Sequence, residues 1–455
     1  MKITLLSHFF PPTHNAGTET YTYGLAKQLR QLGQVVNVVC SQDWDRWCDY
    51  RITATEDVFD SIPVRRLHHN WAKAPDPAGY LYNNPEVYQH LTEYLGELQP
   101  DVVHFTSCYT LSGSAILAAK QLGLPVVLTL TDFWFLCPRH TLLRSDGSLC
   151  SGYESAAGCL GCMAKETKVW RIVNSITPRC LAASILAHLA GHPFLTKRRG
   201  LRGLYSDFGA RARFLRGVLD QVDQIIAPSK FLAKTFVHNG LPPWRILVAG
   251  YGQETSWARR IQRIESASLR IGYVGQIEPI KGVHLLISAA RRIDSAAIEV
   301  VIHGDLTRNP GYARELRRLA EGDPRVKFCG PFPKSELPSV FAGLDVLAVP
   351  SLWYENGPVV IGEAFAARIP VIATNLGGIS EFVEHGVNGL LFDRGDVPGL
   401  SAALQLLVED PALLGRLRNG IPQVRTLEED AAELLGLYDH LITNRAGELT
   451  CLNQR

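Results

Sequence analysis

Short apolar runs recur along this chain, each closing on a turn and leading into a helix-forming stretch. Asp345–Val349 is representative: DVLAV, bounded by Pro350, reads as a strand buried on both faces. Lys2–Ser7, Val35–Cys40, Asp101–Phe105, Val126–Leu130 and Gln224–Pro228 read the same way. After about residue 268 the pattern restarts with Arg270–Val274, Glu299–Ile302, Val326–Phe328, Asp345–Val349, Pro370–Ala373 and Gly389–Phe392. Helical patterns separate most of them, among them Glu19–Leu32, Gly282–Arg292, Tyr312–Glu321, Ser335–Ala342 and a last one at Glu428–Ile442. Strands that alternate with helices must lie parallel, because each crossover returns the chain to the same edge of the sheet. The chain is therefore α/β, and at 455 residues it is long enough for two doubly wound parallel-sheet domains. The polar stretch 251–268 reads as the linker between them.

In such sheets ligands bind beyond the carboxyl ends of the strands. In the first half that rule singles out His104, Thr131 and Asp132, together with Gly17 just before a helix that Thr18 is placed to cap. In the second half it singles out Pro350–Phe365, PSLWYENGPVVIGEAF. Pro358 suits a first helical turn, and the N–H groups of such a turn attract anions. Glu355 precedes this helix start and Glu363 follows one turn inside it. Carboxylates beside a helix start could accept hydroxyl groups while the helix start receives phosphates. They could also merely complement the helix dipole, or act as the acid and base of a glycosidase.

Composition excludes several classes. The hydrophobic share of 46% and charged share of 20% are those of a globular domain, and the net charge of +2 gives no general attraction to nucleic acid. MKITLLSHFFPP reaches prolines before any signal-like cleavage site, which predicts a cytoplasmic protein. The charge is uneven, however. Met163–Arg216 holds eleven Lys/Arg against two Asp/Glu, with apolar Leu181–Leu195 beside KRRGLR (Lys197–Arg202) and RARFLR (Arg211–Arg216). Such a segment can rest on an anionic membrane, bind a phosphate-bearing acceptor, or be a solvated helix face. Just before it, Cys137, Cys150, Cys159 and Cys162 follow the spacing C-x(12)-C-x(8)-C-x(2)-C, enough thiolates for a tetrahedral structural zinc or for redox chemistry.

WYENGPVVIGEA carries an E-x(7)-E motif that resembles the retaining glycosyltransferases of family 4, which have the GT-B fold: two Rossmann-like domains facing a cleft. YVGQIEPIKG (Tyr273–Gly282), VIHGD (Val301–Asp305) and TNLGGISEFVEHGVNGLLF (Thr374–Phe392) extend the likeness, and DVVHF and TLTDFW match more loosely. The resemblance implies an acceptor-binding domain over 1–250 with a Cys-rich, basic insertion at about 137–216. It implies a donor-binding domain over 251–425, and a final helix, 426–455, packing back on the first domain. It also implies transfer of a sugar from a UDP- or GDP-sugar to a glycan or lipid-linked acceptor, without a catalytic metal, at the inner face of the plasma membrane. Glu363 would bind the ribose. Glu355, Asn356, Gly357, Pro358 and Val359 would meet the sugar and phosphates. Gly275, Gln276 and Lys281 would hold the pyrophosphate, with Gly17 approaching it. Glu355, Lys281, His104 and Asp132 would serve the chemistry. Two departures stand out: Gln276 occupies a position where the family has Arg, and Thr131 precedes Asp132 where it has His. A non-catalytic nucleotide-sugar binder of the same fold is the alternative.

Overall fold

A computed structural model describes residues 1–42, 50–70, 73–164, 208–295 and 297–452. Leu181–Leu195 and Lys197–Arg202 lie outside the described residues. The chain divides into two compact units. The first comprises Met1–Pro228, Leu232–Ala249 and Leu427–Arg455; the second comprises Ser229–Phe231 and Gly250–Thr426.

The first unit is built on eight strands: β1 (Lys2–Ser7), β2 (Val35–Ser41), β3 (Thr53–Phe59), β4 (Ile62–His68), β5 (Val102–Phe105), β6 (Val126–Thr129), β7 (Gln224–Ala227) and β8 (Ile246–Val248). Their order is β3-β4-β2-β1-β5-β6-β7-β8. Every pairing is parallel except β3 with β4, an edge hairpin. The central runs VVHF and VVLT are buried at every position, as strands covered on both faces must be. The hairpin is not among the strands expected from sequence. Its turn residues are Asp60 and Ser61, at φ 48° and 64°. They take the left-handed conformation of a two-residue hairpin without the Asn-Gly pair that usually announces one. Helix Gly17–Gln31 starts two residues earlier than Thr18 capping requires: Ala16 is its N-cap and no side chain caps it. The last helix, Leu427–Leu452, packs on Gly17–Gln31 within this unit.

The second unit has six parallel strands: β9 (Leu269–Val274), β10 (Ile298–His303), β11 (Val326–Gly330), β12 (Val346–Val349), β13 (Val371–Thr374) and β14 (Gly389–Phe392). Their order is β11-β10-β9-β12-β13-β14. Numbered within the unit this is 3-2-1-4-5-6, the doubly wound order, with its switch point between β9 and β12. Ile271, Val300, Val346 and Ile372 point into one apolar layer and Leu347, Val349, Val371 and Ala373 into the other. The stretch 251–268, expected as a linker, belongs to this unit. Trp257 is buried against Phe341, ring centroids 5.4 Å apart, and donates from Nε1 to the Glu254 carbonyl at 2.7 Å. Its polar composition hid one large apolar contact.

Among the described residues no single helix is long and apolar enough to cross a membrane. The bent pair Val397–Glu409 and Pro411–Asn419 comes nearest in composition, but Leu400, Leu404, Leu407, Leu413 and Leu417 all enter the second unit's core.

Candidate functional site

At the switch point of the second sheet, the loops after β9 and β12 come together. The chain leaves β9 through Gly275 at φ 154° and turns through Pro279–Lys281 onto Gly282 at φ 74°. A Cβ on Gly282 would stand 1.9 Å from the Pro350 carbonyl oxygen, so the two loops touch backbone to backbone there. That contact brings Lys281 to Glu355. Nζ donates to Glu355 Oε1 at 2.7 Å and lies 5.0 Å from the Trp353 ring centroid. Ser351 Oγ and Trp353 Nε1 donate to the same oxygen, at 2.8 and 2.9 Å. One carboxylate oxygen thus collects three donors, fixing a buried Glu355 in orientation.

Behind this loop, Gly378 N–H donates to the Glu355 carbonyl at 2.9 Å, so the TNLGG turn after β13 supports the same residues. Asn356 is buried beside Glu355, Gly357 lies against the Tyr251 ring, and Pro358 is the N-cap of helix Val359–Ala366. Pro358 therefore stands just outside the first turn expected to hold it.

Glu363, on that helix, is half-buried. Burial pushes its carboxyl up to about 7, and Lys334 opposes the shift. Lys334 is the charged neighbour of this carboxylate and is itself acted on by Glu254; neither is among the residues expected from sequence. Their role depends on loops brought together from distant stretches, which spacing does not reveal. Gln276 is exposed, and its carbonyl accepts the Tyr273 hydroxyl at 2.6 Å.

In the first unit, His104 is fully buried. Its Nδ1 meets the Tyr438 hydroxyl at 2.5 Å and its Nε2 the Thr129 hydroxyl at 2.8 Å. With both nitrogens engaged and its charged form suppressed to about pH 3 by desolvation, His104 ties the last helix to the sheet. The catalytic expectation for His104 is therefore corrected to a structural role. Thr131 likewise spends its hydroxyl on the Thr106 carbonyl, at 2.9 Å.

Other groups gather at the strand ends of this sheet. His8, just after β1, lies 3.3 Å through Nε2 from Glu19 Oε1. Burial raises the Glu19 carboxyl, but His8 and His14 outweigh it and hold it below the usual range. Tyr109 bridges the histidines: its ring centroid is 6.0 Å from that of His8 and 5.1 Å from that of His140. Asp132 accepts the Trp134 N–H at 2.7 Å and acts electrostatically on both His140 and Tyr109. Among the described residues His8 Nδ1, His140 Nδ1 and Glu19 Oε2 are buried without a hydrogen-bond partner. Unsatisfied buried polar atoms are uncommon and invite a ligand or water. Asp132 was expected here; His8, Glu19, Tyr109 and His140 were not. Gly17 is the first residue of the helix that carries Glu19.

Of the arginines in RARFLR, Arg211 is interior, Arg216 lies 3.4 Å from Asp220, and Arg213 is exposed, so this part is no continuous basic face.

A doubly wound unit with a lysine–carboxylate pair at its switch point is the class these observations define. The chain belongs to the group 1 glycosyltransferases: residues 268–410 match the model "Glycosyl transferases group 1" and residues 16–155 the model "Glycosyl transferase 4-like domain". The D-inositol 3-phosphate glycosyltransferase of Pseudarthrobacter chlorophenolicus is 30% identical over 82% of this chain and 78% of its own length. That of Corynebacterium urealyticum is 35% identical over 43% of this chain, and there the match spans 48% of the relative's length. Among solved structures, Anabaena HepE in complex with UDP and glucose aligns at TM-score 0.62 and 18% identity, over 96% of this chain and 99% of that one. Sucrose-phosphate synthase of Thermosynechococcus elongatus aligns at TM-score 0.65 and 17% identity, over 97% and 99%. The fold is GT-B.

Proposed function

We propose that this chain is a retaining glycosyltransferase that moves a sugar from a nucleoside diphosphate donor to a glycan or lipid-linked acceptor. The observation that supports this best is the convergence of Lys281, Ser351 and Trp353 on one oxygen of Glu355, at the switch point of a doubly wound sheet. As the glycosidic bond breaks, negative charge grows on the departing diphosphate. Lys281 is the fixed cation able to leave its carboxylate for that charge, and the N–H groups at the start of Val359–Ala366 add to it. Both stabilise the transition state more than the ground state. With Gln276 bringing no charge, Lys281 carries most of this effect. Glu355 then accepts sugar hydroxyls, Glu363 the ribose, and the His8–Asp132–His140 group receives the acceptor. In this reading no metal takes part in the chemistry, and turnover needs no added divalent cation.

The donor is a uridine or guanosine diphosphate sugar, the uridine form being supported by the Anabaena neighbour, whose structure was also solved in complex with UDP-glucose. Inositol 3-phosphate belongs in the acceptor panel to be tried, since relatives are named D-inositol 3-phosphate glycosyltransferase. Association with an anionic membrane, on the cytoplasmic side, is proposed from the basic segment of the sequence alone.

The second reading, a binder without transfer, draws on Thr131, whose hydroxyl is already committed. A thermal-shift screen against nucleoside diphosphate sugars, followed by NMR of the product anomer, decides. Stabilisation by one donor and a product of unchanged anomeric configuration are expected. No stabilisation by any donor refutes both readings, stabilisation without transfer leaves the binder, and an inverted product refutes retention.

A further inference from the structure

We propose that Cys137, Cys150, Cys159 and Cys162 hold a structural zinc ion that fixes the loop bearing Asp132 and His140. The four cysteines, met as a spacing in the sequence, line one cavity in the structure, together with Arg139, Arg144 and Glu154. The cavity measures about 40 Å³. That is room for an ion or a single water, and far too little for a sugar or a nucleotide.

Its walls come from two local structures. One is a hairpin closed by the antiparallel bridge between Leu143 and Leu149, with Asp146 and Gly147 at its tip and Cys150 N–H donating to the Leu142 carbonyl at 2.8 Å. Cys137 and Cys150 flank this hairpin. The other is helix Ala156–Ala164, where Cys159 and Cys162 stand three residues apart and share a face. Cys159 lies within electrostatic reach of all three other cysteines.

Three features favour a thiolate metal site over four idle thiols. Backbone N–H groups of Arg139 and Leu142 lie against the Cys137 sulfur, partners a coordinated sulfur would keep, while burial on balance raises this thiol without a metal. Cys159 and Cys162 form the tight C-x-x-C half of a tetrahedral zinc set. Arg211 is buried, stacks at 5.4 Å over Trp134 and donates to its carbonyl, and Cys137, Cys159, Tyr82 and Asp132 all act on its charge. No carboxylate forms an ion pair with it among the described residues. A buried cation needs a compensating charge, and a zinc ion bound by four thiolates carries a net charge of −2.

As placed, the sulfurs are not at ligand separations: among the described residues no three His, Cys, Asp or Glu groups are. Metal binding would draw them together across the cavity. The consequence reaches His140, three residues beyond Cys137, whose N–H donates to the Cys137 carbonyl at 2.9 Å. Zinc would thereby hold the acceptor face of the first unit without touching substrate.

The test is elemental analysis of the full chain, expressed in zinc-supplemented medium, purified reduced and desalted. About one zinc per chain is expected, released by p-mercuribenzoate into a chromogenic chelator. The double variant Cys159→Ser/Cys162→Ser should lose at least about nine-tenths of that metal, while Cys159→His should keep it, since imidazole replaces thiolate at zinc but cannot form a disulfide. Cys329→Ser, at an exposed position on β11, is the control that leaves the metal content unchanged. Wild-type protein that stays below about a tenth of an equivalent after reconstitution with excess zinc overturns the proposal, whether or not the variants fold. So does equal zinc in wild type and the double variant. Neither result bears on donor binding, which is read separately.

Discussion

Two buried carboxylates, Glu355 in the second unit and Glu19 in the first, are treated in opposite ways. At the switch point of the second, Glu355 Oε1 is held by Lys281, Ser351 and Trp353, so this oxygen is saturated by the unit's own side chains. At the strand ends of the first, His8 Nδ1, Glu19 Oε2 and His140 Nδ1 are buried and unsatisfied among the described residues. A self-satisfied site must release a contact to take a ligand, and its reward is preorganisation. An unsatisfied face already bears the desolvation cost and gains when a ligand arrives. The donor side should therefore tolerate substitution poorly, and the acceptor side should register it chiefly as weakened binding.

The largest effect is expected at the cation. Lys281→Ala should lower kcat/KM about a thousandfold, close to 4 kcal/mol, measured by steady-state kinetics at varied donor. A loss under tenfold would move the phosphate counter-charge elsewhere. Next comes Glu363→Ala, which should weaken donor binding by roughly 2–4 kcal/mol in calorimetry, because ribose hydroxyls would lose a charged acceptor. Unchanged affinity would break the assignment of this carboxylate to the donor.

The acceptor face gives a smaller and differently shaped response. His140→Ala should raise the acceptor KM about 10–100-fold, or 1.4–2.8 kcal/mol, and leave donor affinity within a factor of about two. A matching loss of donor affinity would erase the contrast between the units.

The last expectation is a divergence with pH. Burial lowers His104 to about 3 and His69 to about 4, both in the first unit. Groups depressed in the folded state give stability that is full above about 6.5 and lost as pH falls toward those values, about 1–2 kcal/mol each by pH 5. Glu363 runs the other way. Raised to about 7 by burial, it contributes stability that is full below 4.5 and lost as pH rises through 7, about 1–3 kcal/mol. Calorimetric scans between pH 5 and 8 should show the first unit weakening in acid and the second strengthening, with Glu363→Gln flattening only the latter. Parallel movement of both transitions would count against it.

Much of this was legible in residue order. Runs such as DVLAV and VVHF announce buried parallel strands, and ENGPVVIGE together with IKG announces the paired loops at the switch point. What stayed hidden has physical causes. Asp60 and Ser61 adopt positive φ without glycine, so the edge hairpin carried no turn signal. Trp257 buries one large side chain inside a stretch otherwise polar, which reads as linker. His104 sits at a strand end like a functional residue, and only its hydroxyl partner 334 positions away reveals a structural one. His8 and His140 acquire meaning only when loops 132 residues apart come together around Tyr109.

The bond between His104 and Tyr438 also sets an order of events during synthesis. His104 is made 334 residues before Tyr438, and all of Gly250–Thr426 emerges between them. The ribosome thus delivers every residue of Gly250–Thr426 before the first unit has its final helix, and the second unit can fold while the first is still incomplete. Until the final helix arrives, β5 carries a buried histidine with a nitrogen unmet, and the face of Gly17–Gln31 that receives that helix stays open to water or to a chaperone. Premature stops after residue 426 should then leave a sound donor unit beside an aggregation-prone partner, a failure of assembly rather than of chemistry.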